Sequence, residues 1–195
     1  MSKTRLEAFS DGVIAILITI MILELKIPED THLEALRPLV KIFLTYVMSF
    51  VFLGIYWSNH HHMLHATGRV NGAVLWANLH LLFWLSLVPF VTGWMGENNV
   101  AALPAAVYGV VLLCAAIAYT LLQIVIIRLE GPHSTLAAAV KKDRKGKISL
   151  VIYIAAISLA FVEPRISYAL YVAVACIWLV PDRRIERTLH HEIRN

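Results

Sequence analysis

The sequence contains little charge: Asp, Glu, Lys and Arg make up 15% of its 195 residues, compared with about a quarter in an average soluble domain. It also has only two cysteines, which excludes a secreted fold held together by several disulfides. Hydrophobic residues reach 59%, so an intrinsically disordered chain is excluded as well. The composition is that of a protein whose surface contacts something other than water.

Sequence signatures of catalysis are absent too. There is no Gly-x-Ser-x-Gly, no His-Glu-x-x-His and no phosphate-binding glycine-rich loop, which are frequent markers of hydrolases, metalloproteases and nucleotide-binding enzymes. The Thr-Val-Gly-Tyr-Gly filter of ordinary potassium channels is also missing. We therefore predict a protein that is not an enzyme and needs no cofactor.

Long uncharged stretches are what the sequence has instead. Three of them, Ile42 to Gly68, Val70 to Gly96 and Asn98 to Ile127, each exceed the roughly 20 residues that cross a bilayer as a helix. Two shorter stretches follow, from Ile148 to Val162 and from Ile166 to Pro181. An apolar segment precedes them all, and no small-x-small cleavage site follows it, so we expect it to be retained and not removed as a signal peptide.

These stretches predict an all-α integral membrane protein that forms one domain over residues 1–195. Its six membrane helices are predicted near residues 5–27, 39–66, 71–95, 101–128, 147–162 and 166–181.

The distribution of basic residues predicts the orientation in the membrane, because cytoplasmic loops carry an excess of Lys and Arg. With both termini in the cytoplasm, 13 of the 17 basic residues lie on that side, the four exceptions being Lys26, Arg37, Lys41 and Arg165. The formal net charge of +4 is then explained by basic residues that lie beside anionic lipid head groups. No module that reads nucleic acid is recognisable, so the bilayer and not a nucleic acid is the expected partner.

The first helix has two chemically different sides. At 100° per residue, a stripe centred on Ile16 contains Phe9, Gly12, Thr19, Ile20 and Leu23. Asp11 points about 140° away from Ile16, and Ser10 about 120° away on the other side. Without further information, such an apolar stripe packs against neighbouring helices in most membrane proteins.

Asp11 needs a partner, because a carboxylate within a membrane helix is costly unless it is paired or hydrated. A structural hydrogen-bond network and a role as ion ligand or proton relay are both open, and the orientation of Asp11 away from the stripe favours the network. Spacing alone does not select among the candidate donors, which are Trp57, Asn59, His61, Asn78, His80 and Trp84.

A run of histidines near the end of the second helix suggests a second hypothesis. His61 and His65 are four residues apart and share a helix face, as in helical zinc sites. No acidic or cysteine ligand lies within a turn, so we expect interhelical hydrogen bonds or interfacial solvation and no metal site. A His-dependent divalent metal transporter nevertheless remains an alternative function, and a non-conducting membrane scaffold is another.

The string Arg5-Leu-Glu-Ala-Phe9-Ser10-Asp11-Gly12, with Thr19 and Leu23 after it, closely resembles the Arg-x-x-x-Phe-Ser-Asp signature of the endosomal/lysosomal potassium channel family. Further similarity lies in the second helix (Tyr56, Trp57 and the histidines) and in the third (Asn78, Leu82 and Ser86 to Phe90). A single six-helix unit of this length is similar to the prokaryotic members, which implies a location in a prokaryotic plasma membrane.

The resemblance implies a homotetrameric, potassium-selective channel without a P-loop, lined by the first helix of each subunit. Potassium would be the permeant ion in the pore. Ile16 would form the hydrophobic constriction, Ile20 and Leu23 the next two layers, and Thr19 a hydroxyl beside the ion path. The motif residues Arg5, Phe9, Ser10 and Asp11 would pack helix 1 against helices 2 and 3. The family commonly has Leu at the position of Ile20.

Overall fold

The computed structural model describes residues 2–28, 30–98, 100–140 and 144–179, and within these ranges the chain is helical with no β-strand. The predicted all-α class is confirmed. The structure has eight α-helices in these ranges: α1 (Lys3–Ile20), α2 (Leu39–His65), α3 (Gly72–Ser86), α4 (Val88–Glu97), α5 (Ala102–Glu130), α6 (Thr135–Val140), α7 (Arg144–Leu159) and α8 (Pro164–Leu179). Two short 3₁₀ segments, Met21–Glu24 and Leu33–Leu36, lie between α1 and α2.

Helix α1 begins at a defined cap and continues into a tighter turn. The Ser2 side chain accepts a hydrogen bond from the backbone N–H of Arg5, which satisfies one of the free donors of the first turn. At its other end the helix passes directly into the 3₁₀ segment Met21–Glu24. Together the two segments form an apolar span of 22 residues, Lys3–Glu24.

The predicted third membrane helix consists of two pieces in the structure. Helix α3 ends at Ser86 and α4 begins at Val88, with Leu87 in a turn between them. Pro89 is the physical cause, since it has no backbone N–H to donate to the preceding turn and its ring crowds that turn. The two pieces still read as one apolar span, Gly72–Glu97.

The structure contains four helical spans long and apolar enough to cross a membrane, namely Lys3–Glu24, Leu39–His65, Gly72–Glu97 and Ala102–Glu130. Helices α7 and α8 have 16 residues each, which is about 24 Å at 1.5 Å per residue and less than the roughly 30 Å of hydrocarbon. The predicted end of the last span at residues 180–181 lies outside the described residues. The count of six spans therefore stays a prediction.

Helix α5 lies at the centre of the packing, in contact with α3, α4, α7 and α8, while α1 packs on α2 and α3. Buried hydroxyl groups in this core are paired, as the absence of water in a bilayer requires. Thr92 Oγ1 donates to the carbonyl of Val88 at 2.6 Å and lies 2.7 Å from Ser49 Oγ, which lies 3.0 Å from the hydroxyl of Tyr108. The hydroxyl of Tyr171 donates to the carbonyl of Ala105 at 2.8 Å. These bonds hold α2 and α4 against α5, and α8 against α5.

Gly109 on α5 allows α8 to approach closely, and we expect Gly109→Ala to destabilise the fold. A Cβ atom there would overlap the hydroxyl of Tyr171 and lie 2.8 Å from Cγ1 of Ile157. Such overpacking costs about 1–3 kcal/mol, more than the ~1 kcal/mol that Ala gains over Gly in a helix. The apparent melting temperature in detergent should fall. Gly54→Ala on α2 is the control, because no atom lies within 4 Å of its added Cβ; an equal loss in both variants would contradict the close packing.

The first helix and its anchoring network

Helix α1 has one face fixed within the protomer. The residues of this face recur every three or four positions and are all buried: Leu6, Ser10, Ile14, Leu17 and Met21. They pack against α2 and α3. Since i, i+4 and i, i+3 positions share one side of a helix, this spacing fixes the rotation of α1 about its own axis.

The opposite face of α1 is exposed in the protomer. Ile16 is 57% exposed, Ile20 41% and Leu23 77%, and Gly12, Thr19 and Phe9 on the same side are exposed too. The stripe that the sequence predicted is therefore not buried against neighbouring helices of the same chain. An apolar surface of this kind faces lipid, packs against another copy of the chain, or lines a narrow pore.

Thr19 is the polar position within this exposed stripe. Its hydroxyl donates to the carbonyls of Ile16 at 2.9 Å and Ala15 at 3.1 Å. The hydrogen is thus directed at the helix backbone, and the lone pairs of the oxygen are left facing outward. A hydroxyl held in this way presents partial negative charge and suits a passing cation better than an anion.

Three side chains from three helices form a buried hydrogen-bonded chain behind the stripe. Asn78 of α3 donates from Nδ2 to Ser10 Oγ of α1 at 2.9 Å, and its Oδ1 lies 2.7 Å from Nε2 of His60 on α2. Ser10 Oγ in turn donates to the carbonyl of Leu6 at 2.9 Å. Because Oδ1 can only accept, the directions of these bonds place the hydrogen of His60 on Nε2. The chain ties α1, α2 and α3 together at one level.

Asp11 has a separate partner at the edge of this network. Trp57 Nε1 on α2 donates to Asp11 Oδ1 at 3.0 Å. Asp11 is half-buried and Trp57 is exposed on the protomer. The carboxylate is directed at α2 and away from the stripe, so it acts in the structure as a helix–helix contact.

The other residues singled out from the sequence lie elsewhere. His80 accepts a hydrogen bond from Trp84 Nε1 at 3.0 Å within the same helix, and neither reaches Asp11. Asn59 donates to the carbonyl of Ile55 in its own helix. Two motif residues, Arg5 and Phe9, are exposed on the protomer, whereas hydrogen bonds of Ser10 and Asp11 join helix 1 to helices 3 and 2.

The histidine that joins the network is His60, whose side chain is 1% exposed, and not its predicted neighbour His61. His61 is exposed and stacks on His65 with ring centroids 6.1 Å apart. Adjacent residues of a helix diverge by 100°, so only one of them can face α3. Little in the sequence favoured His60 over His61. Which side of α2 and which side of α3 are buried is known only when the helices are packed. In the described part of the chain, no three His, Cys, Asp or Glu residues are grouped closely enough to hold a metal ion.

Glu24 ends the apolar span next to the stripe, but its side chain is turned into the bundle. It packs against Gly93 of α4 so closely that a methyl group at Gly93 would overlap the carboxylate. The exposed residues of α1 and of the 3₁₀ segment between Phe9 and Leu23 are all uncharged. This face offers an apolar surface with one hydroxyl.

Comparisons with known proteins agree with this architecture. Residues 5–89 match the family of the endosomal/lysosomal potassium channel TMEM175. A potassium channel of Chryseobacterium sp. strain P1-3 is 52% identical over 189 residues, which are 97% of this chain and 98% of the relative. A potassium channel of Streptomyces collinus is 37% identical over 123 residues, covering 59% of this chain and 60% of the relative.

A solved structure is similar over most of the chain. It is the crystal structure of a lysosomal potassium-selective channel TMEM175 homolog from Chamaesiphon minutus, with a TM-score of 0.78 and 28% identity. The match covers 92% of this chain and 97% of that one.

The fold and the two-faced first helix define an all-helical membrane protein whose relatives are channels and not enzymes. This chain belongs to the TMEM175 potassium channel family, which confirms the resemblance seen in its first helix.

Proposed function

We propose that this chain is a potassium-selective cation channel, in which four copies assemble around an axis lined by α1. The observation that carries the proposal is the division of α1 into a buried face, with Leu6, Ser10 and Ile14, and an exposed apolar face with Ile16 at its centre. A helix held on one side by its own bundle can present the other side to an axis. The potassium channels of Chryseobacterium and Streptomyces and the Chamaesiphon structure support this function.

In this proposal Ile16, Ile20 and Leu23 form three successive apolar rings, and Thr19 lies beside the ion path. Four branched aliphatic side chains around a narrow pore exclude water, and the hydrated ion with it, so a small change of radius opens or closes the path. With no carbonyl filter in the sequence, selectivity is expected to arise from dehydration, which costs less for the larger potassium ion than for sodium. No resident cofactor is required.

The domain organisation, the orientation in the membrane and the location in the cell are part of the same proposal. Residues 1–195 form one six-helix domain with both termini in the cytoplasm, in the plasma membrane of a prokaryote. The excess of basic residues on one side supports the orientation. For α7 and α8 to span at about 24 Å, the bilayer thins locally or flanking residues extend into the interface.

Reconstitution tests the function and the assembly together. Purified protein in liposomes should conduct potassium faster than sodium, with a flux that rises linearly with the driving force. Four chains of 21.9 kDa should give a protein mass of about 88 kDa, four times the protomer, by native mass spectrometry. Saturable, histidine-dependent flux of a divalent metal would support the transporter alternative, and an absence of flux from correctly assembled protein would support the scaffold. A monomeric protein that conducts would contradict the proposed pore.

A further inference from the structure

The chain at the end of α1 is joined to α4 at two points on one side of α4. The carboxylate of Glu24 lies against Gly93, and Nζ of Lys26 lies 2.8 Å from Oε1 of Glu97. Gly93 and Glu97 are four residues apart in α4, so they share one face of that helix. Since Lys26 is 76% exposed, its ion pair contributes little to stability. The contact of Glu24 with Gly93, which is buried, is therefore the one that joins the two helices.

Gly93 leaves space for the side chain of Glu24 that a larger residue would fill. A Cβ atom at Gly93 would overlap Oε2 of Glu24 and would lie 2.7 Å from its Cδ and 3.3 Å from its Cγ. These atoms form the far end of a side chain with many rotamers, so the side chain would move before the helices separate. Any other residue at this position would therefore displace the carboxylate and leave the fold intact.

Helix α4 is held in place by its contacts with α2 and α5. Its residues Val88, Val91 and Met95 are buried in the core, and Oγ1 of Thr92 lies 2.7 Å from Oγ of Ser49 on α2. The face of α4 with Gly93 is therefore a fixed surface on which the end of α1 rests.

Leu23, the residue before Glu24, belongs to the third of the proposed apolar rings. Successive residues diverge by about 100° in an α-helix and about 120° in a 3₁₀-helix, so the contact of Glu24 with α4 directs Leu23 away from the bundle, where it is 77% exposed. On the other side Met21 is fully buried. A carboxylate displaced from Gly93 would therefore turn toward the exposed side of α1, and in the proposed tetramer four such groups would surround the ion path.

We propose that Gly93 is a socket for the side chain of Glu24, and that these two residues position the end of the pore helix and keep the carboxylate out of the ion path. Both are positioning residues, because neither contacts the permeant ion. The pore then presents the apolar ring of Leu23 at this end and no ring of negative charge. The inference rests on the proposed function, since it requires α1 to line the pore.

Cross-linking tests the contact without a measurement of flux. The pair Glu24→Cys/Gly93→Cys, in protein with Cys114→Ala and Cys176→Ala, should form an intramolecular disulfide with copper phenanthroline as the oxidant. The added Cβ and Cγ of Glu24 are 3.3 Å apart, which is close to the corresponding separation in a disulfide. Leu23→Cys/Gly93→Cys is the control, shifted by one residue, and should keep its free thiols. Intact mass after alkylation distinguishes the two states. No disulfide in the first pair, or equal oxidation in both, would overturn the socket.

Block by magnesium tests the consequence for conduction. With Mg²⁺ on both sides of the liposome membrane, half-block of potassium flux in Gly93→Ala should need about tenfold less Mg²⁺ than in the wild type, because affinity for a divalent cation rises with the number of carboxylate ligands. Adding Glu24→Gln to Gly93→Ala should restore the wild-type concentration. Gly54→Ala is the control, since no atom lies within 4 Å of its added Cβ, and it should not change the block.

The possible outcomes separate this inference from the proposed function. Normal potassium flux in Gly93→Ala with unchanged sensitivity to Mg²⁺ would overturn the socket and leave the channel intact. A stronger block that Glu24→Gln does not reverse would assign the effect to packing and reject the role of the carboxylate. A disulfide in the first cysteine pair, together with wild-type protein that does not conduct, would contradict the proposed pore and, with it, any role of this contact in conduction.

Discussion

Replacing Ile16 by Asn is expected to raise potassium flux and to lower the ratio of potassium to sodium flux. In the proposed pore, Asn would offer hydrogen-bonding groups where four Ile side chains would exclude water, so the constriction should become hydrated and both cations should pass. A tenfold rise in rate requires a barrier lower by about 1.4 kcal/mol, which is only about 0.35 kcal/mol from each of four subunits. Flux of the two ions into liposomes of equal protein content measures both effects.

The control for this variant is Ile154→Asn on α7. Ile154 is 56% exposed and Ile16 57%, so the two substitutions change equally accessible apolar positions. Only the one on α1 should alter flux, since Ile154 does not lie on the proposed pore helix. If Ile16→Asn conducts like the wild type while it assembles normally, Ile16 is not the constriction, and Ile20 or Leu23 becomes the next position to test.

The second large effect is expected from Asn78→Leu. Leu keeps the branched shape of Asn but makes no hydrogen bond, so the Nε2–H group of His60 loses its acceptor and Ser10 loses a donor. A buried group left unpaired costs about 1–3 kcal/mol. The apparent melting temperature should fall, and flux should change as well, because Ser10 positions the helix that carries Ile16.

The double variant His60→Leu/Asn78→Leu separates pairing from packing. Removing both partners of a buried hydrogen bond is much less costly than removing one. Within the described residues, Nδ1 of His60 is already buried without a partner, so His60→Leu also removes an unpaired acceptor. The double variant should therefore be more stable than the sum of the single changes predicts. Strict additivity would mean that the 2.7 Å contact contributes nothing to stability.

Several features of the fold were predictable because they depend on the residues of a single helix and not on how helices pack together. The uncharged stretches gave the positions of the first four apolar spans within a few residues. The break at Leu87 also has its cause in the sequence, since Pro89 lies two residues further on. It was not predicted because a proline within a membrane helix produces a kink in some contexts and a full break in others.

The partners of the polar residues were predicted less well. Trp57 and Asn78 were among the candidate donors, but Asn78 bonds to Ser10 and not to Asp11. His60 takes the place expected of His61. Each such assignment depends on the rotation and axial shift of one helix against another, and a shift of one residue turns a side chain by 100°.

The amino-acid sequence alone was enough to predict a membrane protein whose first helix has an apolar stripe opposite Asp11 and Ser10. Both follow from composition and from the angle between successive residues, which are properties of a single helix. The packing of the helices was needed to show that the stripe with Ile16 is exposed within the protomer while Leu6, Ile14 and Leu17 are buried. Burial depends on distances between helices, and these are set by packing and by the bonds among Ser10, Asn78 and His60.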